Sequence, residues 1–252
     1  MIYGLILAGG KGSRLYPLSR ADQPKQFLKL INDNSFLVNT VDRIVPLISR
    51  ENIYVVTNRD YEDKIRNELS DIKEENIFTE PSNKETATCI GLSAVKLLKK
   101  DGDAVMVVLP SDHYIENEKN YVETLNQAVE LANRRRGIVT LGIEPTRPET
   151  GYGYIEMGER ISGNIATYKV ARFTEKPNVE VAKDFLVKET YLWNSGMFVF
   201  RADVILREIE KYLPKMHKAL MEIYKHVGEE DEEEVIKEQY SLIDGISIDF
   251  GV

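Results

Sequence analysis

Three features of the sequence predict an α/β fold: a three-layer αβα sandwich around a mostly parallel central sheet. Short, continuous apolar runs recur at Ile2–Leu7, Ile53–Thr57, Ala104–Leu109 and Gly137–Ile143. Longer segments with helical spacing lie between them. A cluster of glycines, Gly9, Gly10 and Gly12, follows the first run at once. Runs this short and unalternating suit parallel strands buried on both faces. Strands that alternate with helices build βαβ units.

Each element has its own local reason. Ser35 is placed to cap a helix through about Ile48. Tyr61–Leu69 has weaker helical spacing. Thr86–Lys99 ends in lysines, which suit the negative end of a helix. Tyr121–Arg136 ends in three arginines followed by Gly137, a C-cap pattern. After Gly142 the pattern changes. Pro145, Pro148, Gly151 and Gly153 form a loop, and Tyr152–Met157 and Ile165–Glu175 read as strands of a mixed or antiparallel addition. Trp193–Phe200 reads as one more buried strand. Asp203–Tyr212 and Lys215–His226 read as helices separated by Pro214. Glu229–Glu234 is a charge run, expected to be a solvated helix or linker face. The expected division is a first half over 1–143 and a second half over 144–252, within one domain. The end, Ser247–Val252, is flanked by apolar residues and has no polar tail. It reads as a chain shortened relative to its relatives, or as a catalytic fragment.

Composition narrows the function. Among 252 residues, 33 Lys and Arg stand against 41 Asp and Glu, a net charge of −8. That balance argues against nucleic acid or an anionic membrane as the main partner, though not against one small anion in a local basic pocket. Cys89 is the single cysteine, so an internal disulfide or a Cys-rich metal site is excluded. His113, His217 and His226 are too dispersed to suggest a zinc cluster. No apolar stretch reaches membrane-spanning length, and Ile2–Gly10 lacks a basic leader. A cytoplasmic location is expected.

Five segments carry chemistry. Leu7-Ala8-Gly9-Gly10-Lys11-Gly12-Ser13-Arg14 is a strand feeding a glycine loop with two cations. Glycines let backbone N–H groups approach phosphate, and Lys11 and Arg14 add charge. Leu15 stands where a Rossmann fingerprint needs its third glycine, and no GK[ST] closes a P-loop. A glycine turn that only reverses the chain is the plainer alternative. Gln23-Pro-Lys25-Gln-Phe27 places a lysine behind a proline, able to aim at the same phosphates. Leu109-Pro-Ser-Asp112-His113 falls at the carboxyl end of a predicted central strand, where ligands bind in open α/β sheets. Asp112 there suits Mg²⁺, or equally a turn or helix cap. Glu144–Glu156 has two prolines, two glycines and two tyrosines, fitting a sugar's hydroxyls and C–H faces, or a structural crossover. Finally, Phe173-Thr-Glu175-Lys176-Pro177, Trp193-Asn194-Ser-Gly196 and Asp249 offer a second cation, an amide and a second carboxylate.

In order, LAGGKGSRLYPLSR, QPKQF, EP…TA, LPSDH, GIEPTRPETGYGYIE, FTEKP, WNSGMF and SIDFGV cover essentially the whole chain. Together they resemble the nucleotide-sugar pyrophosphorylases, and most closely the mannose-1-phosphate guanylyltransferases. The resemblance implies a Rossmann-like, GT-A-like nucleotidyltransferase fold with a small mixed-strand sugar-binding region. It implies transfer of GMP from GTP to α-D-mannose 1-phosphate, giving GDP-mannose and pyrophosphate, with Mg²⁺ as cofactor. Leu7, Ala8, Gly9, Gly10, Gly12, Ser13 and Thr86 would hold the nucleotide, with Glu80 and Pro81 near the guanine. Arg14, Lys25 and Asp112 would be catalytic. Asp112 and Asp249 would bind the metal. Gly151, Glu175 and Asn194 would contact the hexose, with Tyr152 and Glu156 nearby, and Lys176 would grip the sugar phosphate. A homodimer is left open. The family commonly has Arg/Lys-Asn-Thr-Ala-Pro after EP. Here Glu85 replaces the amide and Thr88 the proline, and Phe250 stands in the closing segment where Tyr is usual. The family's usual C-terminal segment is absent. The alternatives are the same transfer with another sugar 1-phosphate or NTP, a non-catalytic nucleotide-sugar binding protein, and a Rossmann oxidoreductase, which Leu15 disfavours.

Overall fold

The computed structural model describes residues 1–10, 17–20, 22–161 and 165–252. They form two compact units. One comprises residues 1–138 with 199–252, and the other residues 139–198. The compact units therefore do not follow the expected halves: the second is shorter, and the last part of the chain returns to the first.

The first unit holds β1 (Ile2–Leu7), α1 (Phe36–Ile44), β2 (Ile53–Asn58), α2 (Glu62–Glu68), β3 (Ile77–Glu80), α3 (Glu85–Lys100), β4 (Val105–Pro110) and α4 (Glu118–Arg135). Its four strands are all parallel, in the order β3-β2-β1-β4. The apolar runs explain them, because almost every residue of β1, β2 and β4 is buried. Strand alternation sends neighbouring residues to opposite faces. Gly4 faces α1, where a Cβ would come within 2.9 Å of Ile44 Cδ1. On the other face Tyr54, in register with Leu5, accepts a hydrogen bond from Lys100 Nζ of α3 at 2.8 Å. Helices thus cover both faces of a mostly parallel sheet, the α/β fold expected.

The second unit holds β5 (Val139–Ile143), β6 (Tyr154–Ile161), β7 (Thr167–Thr174), α5 (Val179–Lys188) and most of β8 (Tyr191–Arg201). β6 pairs antiparallel with β7 and with β8, and β5 pairs with β8. Its core is aromatic: Tyr154, Phe185, Tyr191 and Trp193, with Ala182. Phe185 and Tyr191 stack with centroids 3.9 Å apart.

The chain re-enters the first unit at Val199. Arg201, buried, donates to Asp103 at 2.8 Å, Asp203 at 2.9 Å and Asn133 at 3.2 Å. Then follow α6 (Ala202–Tyr212), α7 (Pro214–His226), α8 (Glu232–Leu242) and α9 (Ile248–Gly251). Helices α6 and α7 pack on α3. The closest approach is at Gly91, where a Cβ would meet Leu220 Cδ1 at 2.5 Å.

Several boundaries differ from the sequence reading. Ser35 does cap α1, its Oγ accepting from Val38 N at 3.2 Å, but the helix ends at Ile44. Asn117 caps α4, which begins at Glu118, three residues ahead of the expected start. That helix ends one residue early too. Arg136, not Gly137, takes the left-handed conformation at φ 51°, and its guanidinium pairs with Asp203. Strand β3 and helices α5 and α9 were not anticipated. The charge run is not wholly solvated. Glu232–Glu234 open α8, the end that favours negative charge. Glu232 accepts from Gly228 N and pairs with Lys96 of α3, each at 2.7 Å. Among the described residues, no helix is long and apolar enough to cross a membrane.

Candidate active site

Parallel strands bring their carboxyl ends to one edge. In the first unit that edge carries Gly9 after β1, Asn58 and Glu80 at the ends of β2 and β3, and Asp112 after β4. The strand order runs outward from β1 through β2 to β3, then restarts on the far side of β1 with β4. Such a switch point is where open α/β sheets bind ligands. Ser111 stitches it shut at the base, its Oγ donating to Leu7 O at 2.9 Å.

The glycine loop leaves this point from a rigid base. Ala8 is fully buried and donates to Val56 O at 2.8 Å. Its carbonyl accepts from Gln26 Nε2 at 2.8 Å and Thr57 Oγ1 at 3.3 Å. Gly9 O accepts from Asn58 Nδ2 at 3.2 Å. Lys11, Gly12, Ser13 and Arg14 lie outside the described residues. Pro24 introduces a short 3-10 turn over Lys25–Phe27. That turn buries Gln26 beneath the loop and brings Lys25 Cε within 3.6 Å of where a Gly10 Cβ would stand. Lys25 Nζ forms an ion pair with Asp112. Residues 87 apart in sequence, each half-buried, thus meet beside the loop.

Glu80 closes the other side. Its Oε2 lies 3.8 Å from the position of a Gly9 Cβ, and its Oε1 accepts from Tyr240 Oη at 3.0 Å. Burial pushes its carboxyl up to about 7, against the Tyr240 bond, and Glu85 adds to the rise. Pro81 follows, half-buried. Thr86 is engaged elsewhere: its Oγ1 accepts from Ile248 N at 2.8 Å and donates to Ser247 Oγ at 3.4 Å. It ties the start of α3 to α9, whose Asp249 carboxylate accepts from Ser247 Oγ at 2.7 Å.

Asp112 and Asp249 are hard carboxylate donors of the type Mg²⁺ takes. No group of three or more His, Cys, Asp and Glu gathers among the described residues. A hard ion that completes its shell with water and phosphate oxygens fits this donor set; a soft, fully protein-ligated metal does not.

The second unit divides its predicted residues between two faces. Asn194 N donates to Gly153 O at 2.8 Å. A Cβ on Gly153 would strike Glu175 Oε2 at 2.6 Å and Phe173 Cζ at 2.8 Å, so only glycine lets Glu175 and Asn194 come together. The Asn194 Oδ1 accepts from Thr140 Oγ1 at 3.2 Å and Gly196 N at 3.3 Å, which orients the amide. Lys176 pairs with Glu175. Gly151 N donates to Glu149 Oε1 at 3.0 Å. Tyr152 and Glu156 lie on the other face with α5. Tyr152 packs edge-on against Trp193 at 5.4 Å, and Glu156 pairs with Arg172 at 3.3 Å. Sequence reasoning did not place Gln26, Thr140, Gly153 or Tyr240 in these clusters. Of these, Gln26 lay within the QPKQF motif and Gly153 was the second glycine of the GYG turn; Thr140 and Tyr240 carried no signal.

The chain matches the nucleotidyl transferase family over residues 3–239. A curated mannose-1-phosphate guanylyltransferase of Salmonella muenchen is 38% identical over 253 residues, covering 98% of this chain and 53% of that protein. One from Escherichia coli is 40% identical over 222 residues, covering 87% of this chain and 47% of that protein. The chain spans about half the length of these curated relatives. A solved structure described as a mannose-1-phosphate geranyltransferase from Thermus thermophilus superposes with TM-score 0.87 at 35% identity, covering 100% of this chain and 70% of that one. With those matches and a glycine loop at the switch point of its parallel sheet, the chain belongs to the nucleotidyl transferase family.

Proposed function

We propose that this chain transfers GMP from GTP to α-D-mannose 1-phosphate, giving GDP-mannose and pyrophosphate. The observation that carries the reading is the Lys25–Asp112 pair beside the glycine loop at the β1/β4 switch point. Relatives named for this activity support the choice of base and sugar. GTP lies on the loop of Gly9, Gly10 and Gly12, with Ser13 and Arg14. Its guanine edge lies against Glu80 and Pro81. Mannose 1-phosphate is held in the second unit by Gly151, Glu175, Lys176 and Asn194. Tyr152 and Glu156 shape that unit from its other face.

A sugar-phosphate oxygen attacks the α-phosphorus in line. The new P–O bond forms as the bond to the bridging oxygen breaks, and the electron pair leaves with pyrophosphate. The nucleophile is already an anion, so no general base is required. The protein must hold two anions together and offset charge on the leaving group. Lys25, steered by Pro24, exchanges Asp112 for phosphate oxygens and does that at the α-phosphate. Asp112 and Asp249 are the residues that would hold a divalent metal, Mg²⁺ in this reading. When bound, it supplies Lewis-acid stabilisation of phosphate charge.

The test is pyrophosphate release with Mg²⁺ and mannose 1-phosphate, comparing GTP with ATP, CTP, UTP and dTTP. Release with GTP and formation of GDP-mannose is the expected result. Release with another NTP alone, or GTP binding without release, sinks the reading. Lys25→Ala should lower turnover by ~10²–10³, the usual cost of losing one charge-stabilising donor. A variant with near-normal turnover removes Lys25 from the mechanism.

A further inference from the structure

Helix α8 has no part in the chemistry above, and its first turn is three glutamates. Yet Tyr240, near its end, is 1% exposed and reaches across 160 residues to Glu80. Glu80 is itself 7% exposed at the strand edge beside Gly9. A buried carboxylate with two oxygens accepts in several directions. Here one oxygen is taken by the phenol, and the other faces the start of the glycine loop.

We propose that Tyr240 is a positioning residue for guanine selection: its phenol pins one oxygen of Glu80, so that the carboxylate presents its other oxygen to the N1–H and 2-amino edge of the base. The proposal rests on the reading of Glu80 as the base-contacting residue. Guanine offers two donors on that edge, whereas adenine offers an acceptor at N1, so a fixed carboxylate accepts the first and repels the second. Among the described residues, the ionisable groups facing Glu80 are Tyr240 of α8 and Glu85 and Cys89 of α3. Burial holds the thiol and the phenol in their neutral forms, and Glu85 is like-charged. The phenol is therefore the group that favours the carboxylate's charge, donating to it from a seat that water does not share. Without that bond, Glu80 is protonated at a higher pH and its carboxyl is free to turn.

Steady-state kinetics of Tyr240→Phe, Glu80→Gln and the double variant, across pH 5.5–9 with GTP and ATP, test this. Tyr240→Phe should raise the KM for GTP by about tenfold, more than it lowers kcat, because a bond to a charged group is lost. The acid limb of kcat/KM should move to higher pH, and the KM for ATP should not rise. The double variant should be no worse than Glu80→Gln, since Tyr240 acts through Glu80. If Glu80→Gln erases the preference for GTP while Tyr240→Phe keeps the parent KM and pH profile, the role of Tyr240 is wrong and the base contact stands. If Glu80→Gln keeps the preference, the base contact itself falls and this role with it. Additive losses in the double variant overturn the proposal too. Should Tyr240→Phe not fold, carbon-13 NMR of the Glu80 carboxyl in the parent decides. Titration well above the ordinary carboxylate range, lowered by GTP, supports the seat. Ordinary titration untouched by GTP overturns it.

Discussion

Burial holds the Glu80 carboxyl up to about 7 in the folded chain, whereas an unfolded glutamate ionises near 4.3. Between those values the folded chain binds more protons than the unfolded one, so stability falls as pH rises through that window. The loss amounts to about 4 kcal/mol once both states are ionised. Glu80→Gln, which carries no charge to desolvate, should therefore be more stable than the parent at pH 8 and lose that advantage by pH 4. Urea unfolding at the two pH values measures it. Glu85 has a different problem, for it opens α3 at φ 65°, in the left-handed region. Asn tolerates that conformation better than Glu. Glu85→Asn should stabilise the fold by about 1 kcal/mol and remove one like charge facing Glu80. An unchanged unfolding midpoint would refute the strain. The departure at Glu85 was visible in the sequence, but its φ was not.

Single elements show where sequence reading stops. Strands β1, β2 and β4 were legible because each is a run of buried β-branched and aliphatic residues. Strand β3 has only four residues and sits at the edge of the first unit's parallel order, so it carries little pattern. Helix α9 is one turn, and tertiary bonds fix it. Ala87 N donates to Ile246 O at 3.1 Å, and Thr86 Oγ1 accepts from Ile248 N. The residues of this clamp are some 160 positions apart, and no local period announces them. The same limit hid the Lys25–Asp112 and Tyr240–Glu80 pairs, although the motifs holding Lys25, Asp112 and Glu80 were plain. Thr86→Val keeps the shape and removes the acceptor. It should speed amide exchange at Ile248 by about tenfold, the value of one ordinary hydrogen bond. Unaltered exchange would show that the segment is held by packing alone.

Along the chain, the first unit is discontinuous: residues 139–198 interrupt it in sequence. Its helices α3, α6 and α7 touch through Gly91, against Leu220. Gly91→Ala places a methyl where Leu220 already stands and should cost about 1–3 kcal/mol. Thermal unfolding would register that as a drop of several degrees, and no drop would mean that α7 moves aside freely. This arrangement also has a consequence in time. A ribosome that has delivered the first 138 residues has made all four strands of the first unit's parallel sheet, but not the helices α6 and α7 that cover α3. The side of α3 that meets α6 and α7, around Gly91, stays bare while the entire second unit is synthesised. The nascent chain therefore passes through a long interval with apolar surface exposed, the condition under which chains aggregate or engage chaperones. Glu80, beside Gly9, gains its Tyr240 partner only when α8 emerges.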